Sequence, residues 1–404
     1  MYGNWAFNWV QIIAHNKMVF AVLWGLFSLA VVGGIFRLEQ QVSMQSWGLL
    51  VFSVVLMGAA VAKFMDSLKT ALLQVGLSLY ILAMSLGALG WLHQSLDGSS
   101  VLGLVVLVTI MTSNLIHILS TLLREMARGL FQFDAVAEAL KLNNSPIFLS
   151  NFTSMLGFAF AAWYEPQLSA MAWIVGVGAL MSYVATLTLL PVILLTWLLE
   201  FRVGNSNDRY GYVFVAQWIQ DSPKLAKGIS IVFAILFVGL LWWQQDALSL
   251  LNSLLGMVVF LLVLFTLFWG SIKLALLNTL ANLLALTCSI LAFVLLVPYS
   301  SLSLLLIMMP MGLIVDDGIH FFSRYVRAQQ GVFSDPASAV RYSMASVGRP
   351  IWMTSWIMML GLLVLSFSDQ TLIQQASLMT MSSLIIATFV TLFLLPSYLL
   401  ARAR

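Results

Sequence analysis

Two adjacent acidic residues, Asp316 and Asp317, lie inside a long apolar stretch, residues 304–322, whose only other polar side chain is that of His320. The stretch is long enough to cross a membrane, since a span needs about 20 apolar residues. A charge near the middle of a bilayer costs about 2.5–3.5 kcal/mol on insertion scales, so acids retained there indicate function. Two neighbouring carboxylates in a low dielectric do not both ionise readily, which favours a shared or switchable proton. The pair therefore predicts a proton relay inside a membrane protein.

His320 follows Asp316 by four residues and Asp317 by three, which places its ring on their side of a helix. A histidine there could pass a proton toward the cytoplasm. The alternative is a structural histidine near the end of the span. His117, at a matching position in the first half of the chain, has no acids before it and favours this second interpretation.

The rest of the chain is also strongly apolar. It is 61% hydrophobic and 8% charged, whereas a soluble domain is about 25% charged. Twelve apolar runs have the length of a membrane span, at roughly 18–36, 45–64, 71–92, 99–123, 147–163, 168–199, 228–244, 248–269, 274–297, 300–323, 351–367 and 371–400. The sequence therefore predicts an all-α polytopic membrane protein with twelve transmembrane helices.

The basic residues predict how these spans are oriented. With both termini in the cytoplasm, 17 of the 18 Lys and Arg residues fall on the cytoplasmic side, and only Arg37 lies outside. Such a bias satisfies the positive-inside rule and supports the even number of spans. The net charge of +3 is thus explained by membrane topology rather than by nucleic-acid binding.

The chain repeats itself with an offset near 204 residues. Four landmarks carry the repeat: 64–74 with 268–278, His117 with His320, Pro146 with Pro350, and 186–195 with 391–400. Offsets that drift by only two residues indicate two parallel six-helix repeats, with a site expected at their interface. We predict a first transmembrane repeat with an N-terminal amphipathic helix over 1–200, a cytoplasmic amphipathic linker over 201–226, and a second transmembrane repeat over 227–404.

Two cytoplasmic loops, 124–145 and 324–349, are matched between the halves. Each is expected to contain one short helix, because Asp134 in the first, and Asp335 followed by proline in the second, suit a helix start. Their expected role is structural bracing.

Two motifs of the second half resemble those of a known family. At 312–325 the chain reads Gly-Leu-Ile-Val-Asp-Asp-Gly-Ile-His-Phe-Phe-Ser-Arg-Tyr, and at 347–355 Val-Gly-Arg-Pro-Ile-Trp-Met-Thr-Ser. Here it resembles the resistance–nodulation–division (RND) superfamily, and within it the MMPL branch of hydrophobe and lipid exporters. The resemblance covers the second half and, more weakly, the first. It implies an RND-like transmembrane core.

The chain departs from this family in its outer loops. Family members carry a large extracytoplasmic domain after the first span of each repeat. Here the loops 37–45 and 244–247 leave no room for one. Either the protein lacks these domains naturally, or the sequence is an excised membrane core.

A second departure lies in the fourth span. By the repeat alignment, Ser113 takes the place of Asp316 and Asn114 that of Asp317. A hydroxyl and an amide form hydrogen bonds but do not titrate, so proton chemistry is expected from the tenth span alone. Ser113 and Asn114 are the expected relay partners across the interface.

The two acids are expected to face different neighbours, because adjacent helical residues point about 100° apart. One of Asp316 and Asp317 is expected to face the fourth span, and the other a neighbouring helix or a water path. Thr354 and Ser355, in the eleventh span, form a second set of expected relay partners.

The sequence contains no motif of a soluble enzyme. It has no glycine-rich phosphate loop, no His-Glu-x-x-His metal motif and no serine nucleophile elbow. We therefore expect no enzyme activity, cofactor or metal. The expected partners are membrane lipids, a hydrophobic substrate and a protein that supplies the extracytoplasmic function; homo-oligomer formation stays open. The expected location is the bacterial inner (plasma) membrane.

Two functions fit these observations. The resemblance favours an RND-type secondary transporter core that exports or moves hydrophobic or amphiphilic molecules, such as lipids, using the proton-motive force. The alternative is a non-transporting membrane module that senses lipid or acts as a scaffold, as sterol-sensing domains do. Loss of the large domains and of one acid pair would suit this second role.

Overall fold

The computed structural model describes residues 5–197, 228, 247–296, 305–331 and 335–402. These residues are almost entirely helical, and the β contact recorded among them is an isolated bridge between Gln40 and Leu96. The first half contains α1 (Trp5–His15), α2 (Lys17–Val32) with a 3₁₀ turn (Gly33–Arg37), α3 (Met44–Met65), α4 (Leu68–Trp91), α5 (Ser100–Ala127), α6 (Gln132–Tyr164), α7 (Ser169–Leu187) and α8 (Leu189–Thr196). The second contains α9 (Ala247–Trp269), α10 (Ile272–Leu296), α11 (Leu305–Gly331), α12 (Pro336–Leu365), α13 (Thr371–Phe389), a π-helical turn (Val390–Leu394) and α14 (Leu395–Arg402).

The helices are those of an integral membrane protein. Among the described residues, nine segments are long and apolar enough to cross a bilayer, and Leu255–Trp269 is a shorter apolar helix. The predicted all-α membrane class is therefore confirmed. The predicted seventh span, 228–244, and the predicted linker, 201–226, lie outside the described residues apart from Gly228. The count of twelve helices, their division into two six-helix repeats and the domain boundaries stay predictions.

α5 and α11 lie at the centre of the bundle. In the most apolar stretch of α5 every residue is buried. In the most apolar stretch of the segment formed by α2 and its 3₁₀ turn, only 6% of the residues are buried. On α11 the side chains from Met308 to Phe322 are all buried. Around these two helices pack α3, α4, α6 and α7 of the first half and α10, α12 and α13 of the second. The centre is thus shielded from lipid, which is where ionisable residues are tolerated in a membrane protein.

Two glycines, Gly157 of α6 and Gly312 of α11, bring these helices into backbone contact. A β-carbon on Gly157 would lie 2.9 Å from Cα of Gly312, and one on Gly312 would lie 3.2 Å from Cα of Gly157. Ser154 Oγ also donates a hydrogen bond to the Gly312 carbonyl at 3.2 Å. Small residues allow membrane helices to approach this closely. The contact fixes α11 one turn before Asp316.

The structure corrects the prediction that separate short cytoplasmic helices precede Pro146 and Pro350. The segments before these prolines are instead the first turns of α6 and α12, which run through both prolines. A proline inside a helix leaves the carbonyl four residues earlier without its helical partner. For Pro350 that carbonyl belongs to Ser346, and it accepts a hydrogen bond from Arg124 Nη1 at 3.1 Å. This bond from α5 satisfies the freed backbone group, so α12 continues past the proline.

The start of α12 agrees with the prediction. The carboxylate of Asp335 accepts hydrogen bonds from the backbone N–H groups of Ala337 at 3.2 Å and Ser338 at 3.1 Å. These bonds favour the ionised carboxylate and hold the pKa of Asp335 below its ordinary value. In the first half, α6 begins at Gln132, two residues before the predicted start at Asp134.

Two predicted spans, 168–199 and 371–400, are interrupted shortly before a proline. The first divides at Thr188 into α7 and α8, and the second passes through the π-helical turn between α13 and α14. Pro191 and Pro396 follow these interruptions and occupy matched places in the sequence repeat. Proline removes a backbone donor and crowds the preceding turn, which accounts for both irregularities.

The N-terminal helix α1 has one buried face, formed by Ala6, Val10 and Ile13. The spacing of these residues is that of a helix stripe. Nε1 of Trp9 donates a hydrogen bond to the carbonyl of Leu187 at 2.8 Å. The helix is thereby held against the end of α7.

Candidate functional site

Asp316 points from α11 toward α5. Its Oδ2 accepts a hydrogen bond from Ser113 Oγ at 2.9 Å, and its Oδ1 lies 3.5 Å from Nε2 of His320 on the next turn. Only 4% of the residue is exposed. The structure therefore places Ser113 in direct contact with Asp316, in the arrangement expected of a relay partner.

Asp317 points toward α12 and α13. Its Oδ2 accepts hydrogen bonds from Thr388 Oγ1 at 2.7 Å and from Ser355 Oγ at 3.1 Å. Each hydroxyl also lies 2.8 Å from a carbonyl of its own helix, that of Ile351 for Ser355 and that of Leu384 for Thr388. Because a hydroxyl has one donor and two acceptor sites, it can donate to the carboxylate or turn to its helix carbonyl and accept from the acid. Both protonation states of Asp317 can therefore be hydrogen-bonded.

His320 meets His117 of α5 face to face. The ring centroids are 3.5 Å apart and the planes differ by 7°. Among the described residues, neither nitrogen of His117 nor Nδ1 of His320 has a hydrogen-bond partner. Two charged rings at this separation would repel strongly in the buried interior, so the stacking indicates that at most one is protonated.

Three contacts between α5 and α11 join residues that are 203 positions apart: Ser113 with Asp316, His117 with His320, and Thr121 with Arg324. In an interface with two-fold symmetry, a residue on the axis meets its own counterpart. The shared spacing is what the predicted repeat would give if α5 and α11 faced each other across its axis. The positions agree with the offset found in the sequence.

Arg324, one turn beyond His320, is a buried cation. Only 1% of it is exposed. Its Nη2 donates to Asn143 Oδ1 at 2.9 Å and to Thr121 Oγ1 at 3.3 Å, while Nε and Nη1 have no partner within the described part of the chain. The site thus contains a fixed positive charge about two turns from Asp316.

Asn114 and Thr354 do not contact the acids. Nδ2 of Asn114 donates to Ser182 Oγ of α7 at 2.9 Å. Thr354 Oγ1 donates to two carbonyls of its own helix, each at 3.0 Å. The physical reason is helix geometry: adjacent side chains diverge by about 100°, so Ser113 and Asn114 cannot both face α11. Neither Asn114 nor Thr354 forms a hydrogen bond to Asp316 or Asp317 in this structure, and their roles as relay partners stay predictions.

Two side chains that the sequence analysis did not select lie at the site. Thr388 bonds to Asp317, and no local signal distinguishes it from other hydroxyl residues in the last span. Asn278 of α10 lies against Gly318, where a β-carbon would collide with its Oδ1, and neither of its side-chain polar atoms has a described partner. Asn278 occupies the repeat position of Gln74. A comparison of polar residues at matched repeat positions could have found it.

Solved structures share this fold. The crystal structure of SecDF, a translocon-associated membrane protein from Thermus thermophilus, aligns with a TM-score of 0.68 and 15% identity over 88% of this chain. A structure of SecDF in its super-membrane-facing form aligns with a TM-score of 0.62 and 14% identity over 89% of the chain. At this identity the likeness shows the fold alone.

The likeness covers only part of each SecDF chain. This chain spans 62% of the length of both SecDF chains. No protein-family model matches the sequence, and no curated protein matches it.

Proposed function

We propose that the chain is the membrane core of an RND-type secondary transporter that uses the proton-motive force to move hydrophobic or amphiphilic molecules such as lipids. Asp316 and Asp317 are the proton-carrying pair in this proposal, and His320 with Ser113 and Ser355 are their relay partners. The core resides in the bacterial inner membrane. A partner protein supplies the extracytoplasmic function that the short outer loops lack.

The hydrogen bonding of Asp317 carries the proposal. The carboxyl is 1% exposed, and an ionised carboxylate is costly there unless hydrogen bonds stabilise it. The hydroxyls of Ser355 and Thr388 can serve the charged and the neutral form alike, since each has a helix carbonyl as a second acceptor. A group satisfied in both states can gain and lose a proton without unfolding its surroundings.

The energy available is sufficient to bias such a group. Moving one charge across 100 mV is worth about 2.3 kcal/mol. Because Asp317 touches α12 and α13 while Asp316 touches α5, a change in either carboxyl alters contacts between different pairs of helices. This arrangement links protonation to helix packing, as alternating access requires.

A hydrophobic substrate is proposed from the resemblance to MMPL exporters and from the small outer loops. The connection between α2 with its 3₁₀ turn and α3 is only six residues long, 38–43. It therefore has little surface for holding a large water-soluble molecule. We expect substrate to enter laterally between helices or to be passed on by a partner protein.

Liposome transport tests the proposal directly. The purified chain is reconstituted with an internal pH dye and a fluorescent phospholipid analogue, and a pH gradient is imposed. We expect the gradient to drive analogue movement and proton flux together. Proton flux absent in intact, folded protein would contradict the proposal and favour the lipid-sensing or scaffolding module.

The proposed orientation has its own test. The charge bias places both termini in the cytoplasm, so a reporter active only in the cytoplasm should give signal when fused after Arg404. Signal only from an extracytoplasmic reporter would contradict the orientation and the even number of spans.

A further inference from the structure

Three side chains with metal-binding atoms converge between α5 and α11. His117, Asp316 and His320 each offer one ligand atom, and these atoms all lie within 4.8 Å of one another. Asp316 and His320 come from one helix at a spacing of four residues, and His117 comes from the facing helix. All three residues are at most 4% exposed.

The polar atoms of this cluster are poorly satisfied by the protein itself. Both nitrogens of His117, Nδ1 of His320 and Oδ1 of Asp316 have no hydrogen-bond partner among the described residues. An unsatisfied buried donor or acceptor costs about 1–3 kcal/mol. A cluster of such atoms therefore points to a bound group that satisfies part of it.

We propose that His117, His320 and Asp316 form a binding site for one divalent transition-metal ion of the zinc type. Two imidazoles and a carboxylate are ordinary ligands of such ions, and three protein ligands leave a fourth position open for water. Among divalent ions of the first transition series, a nitrogen-rich set of this kind binds copper, zinc and nickel more tightly than manganese.

The distances suit this ion. With Zn–N of about 2.0–2.1 Å and Zn–O of about 2.0–2.2 Å, ligand atoms in a tetrahedron stand roughly 3.3–3.5 Å apart. Asp316 Oδ1 and His320 Nε2 are 3.5 Å apart, which is the edge of that tetrahedron and longer than a normal N–H···O hydrogen bond. His117 completes the set by a turn of its ring, because the two rings now lie parallel.

The surrounding groups set the charge of the site and orient the carboxylate. A divalent ion would favour the ionised forms of Asp316 and of the adjacent Asp317, because it offsets the repulsion between two neighbouring carboxylates. Arg324 adds one positive charge about two turns from Asp316, so the two acids stand against the charges of both the ion and this guanidinium. Ser113 Oγ donates to Oδ2 of Asp316, leaving Oδ1 to face the ion, and such second-layer bonds typically contribute 10–100-fold to metal affinity.

The site has no sequence motif because its ligands come from two helices about 200 residues apart. The site shares Asp316 and His320 with the proposed proton relay, and a bound ion would hold both residues deprotonated, so they would not carry protons while it is bound. Metal binding is nevertheless measured on purified protein without a gradient. The two proposals therefore fail separately.

Binding of Zn²⁺ and Co²⁺ to purified full-length protein, prepared without a histidine tag, tests the site. We expect one Zn²⁺ per chain and, with Co²⁺, the strong visible absorption of a tetrahedral complex. The chain has four histidines, so the matched control is the His15→Ala, His93→Ala double variant at its two exposed positions. Binding should survive in this control and be lost in His117→Ala and in His320→Ala.

Ser113→Ala keeps the proposal testable if the histidine variants fold poorly, because it leaves all three ligands in place. We expect a 10–100-fold weaker affinity for Zn²⁺ in this variant. Absence of a tetrahedral Co²⁺ spectrum in the wild-type protein would overturn the site. Unchanged stoichiometry in folded His117→Ala would overturn it as well.

Discussion

α5 and α11 face each other at the centre of the bundle, yet only α11 carries acids in its middle turns. Their contacts with each other join residues that are 203 positions apart, and the middle turns of both helices are buried. At the two positions that matter, α11 has Asp316 and Asp317 where α5 has Ser113 and Asn114. Fold symmetry and chemical symmetry are thus separate properties of this chain. The packing of α5 against α11 forms the interface, and α11 supplies its two carboxyl groups.

The polar pair of α11, Asp316 and Asp317, makes contacts of the same kind as its counterpart on α5, Ser113 and Asn114. Asn114 bonds to Ser182 of α7, as Asp317 bonds to Thr388 of α13. The first member of each pair faces the opposite central helix, and the second faces its own half. The second position of α5 therefore retains hydrogen bonding but has no titratable group.

The largest effect is expected from removing the acid at the second position. Asp317→Asn should abolish proton-coupled activity, because an amide cannot carry the proton. The variant should be at least as heat-stable as the wild type, because a buried carboxylate no longer has to be accommodated. Proton flux in liposomes and the melting temperature are the two readouts.

Asp369→Asn serves as the control for this prediction, since Asp369 is an exposed acid outside the site. Its flux should equal that of the wild type. Unchanged flux in the Asp316→Asn, Asp317→Asn double variant would show that the acid pair is not part of coupling.

The next effect concerns the packing that positions α11. Gly157→Ala places a β-carbon 2.9 Å from Cα of Gly312 and 3.0 Å from the carbonyl oxygen of Met308. These atoms belong to backbone and cannot rotate away, so we expect a loss of about 1–3 kcal/mol in stability. Thermal unfolding in detergent measures it.

Gly76→Ala is the matched control, because a β-carbon on Gly76 of α4 meets nothing within 4 Å. Alanine is the better helix former by up to about 1 kcal/mol, so this variant should be neutral or slightly more stable. Equal melting temperatures for the two variants would contradict a close α6–α11 contact.

A smaller effect on proton coupling is expected from removing single hydrogen-bonding side chains, Ser355 on α12 and Asn114 on α5. Ser355→Ala removes one of two hydroxyls on Asp317, and a hydrogen bond to a charged group is worth about 1.5–3 kcal/mol. We expect partial loss of proton coupling. Asn114→Ala removes a bond to Ser182 and none to an acid, so coupling should change less than in Ser355→Ala. The reverse order would indicate that Asn114 itself takes part in proton transfer.

The sequence predicts the elements of this fold better than their contacts. Apolar runs of span length mark most helices, because the bilayer imposes both length and composition. The starts of α6 and α12 differ from the prediction, since Pro146 and Pro350 resemble helix boundaries. For Pro350, the bond from Arg124 to the carbonyl of Ser346 allows the helix to continue. Local signals cannot reveal a partner on another helix.

The residues of the site were likewise predicted better than the contacts between them. The acids and Ser113 follow from burial in a span and from the repeat alignment. The stacking of His117 on His320 and the bond from Thr388 depend on how each helix is rotated, which a sequence of uniformly apolar helices does not specify. The bond from Asn114 to Ser182 of α7 depends on helix rotation in the same way.

The smallest effect is expected at Thr354, next to Ser355 in sequence. Its hydroxyl bonds only to the carbonyls of Pro350 and Ile351 in its own helix, where such bonds add little to stability. Thr354→Val keeps the shape of the side chain and removes no contact with Asp317. Proton flux should therefore match the wild type in the same liposomes in which Ser355→Ala is impaired. Impaired flux in Thr354→Val, with an unchanged melting temperature, would mean that the hydroxyl turns toward the acids in another state of the bundle, and Thr354 would then join Ser355 as a relay partner.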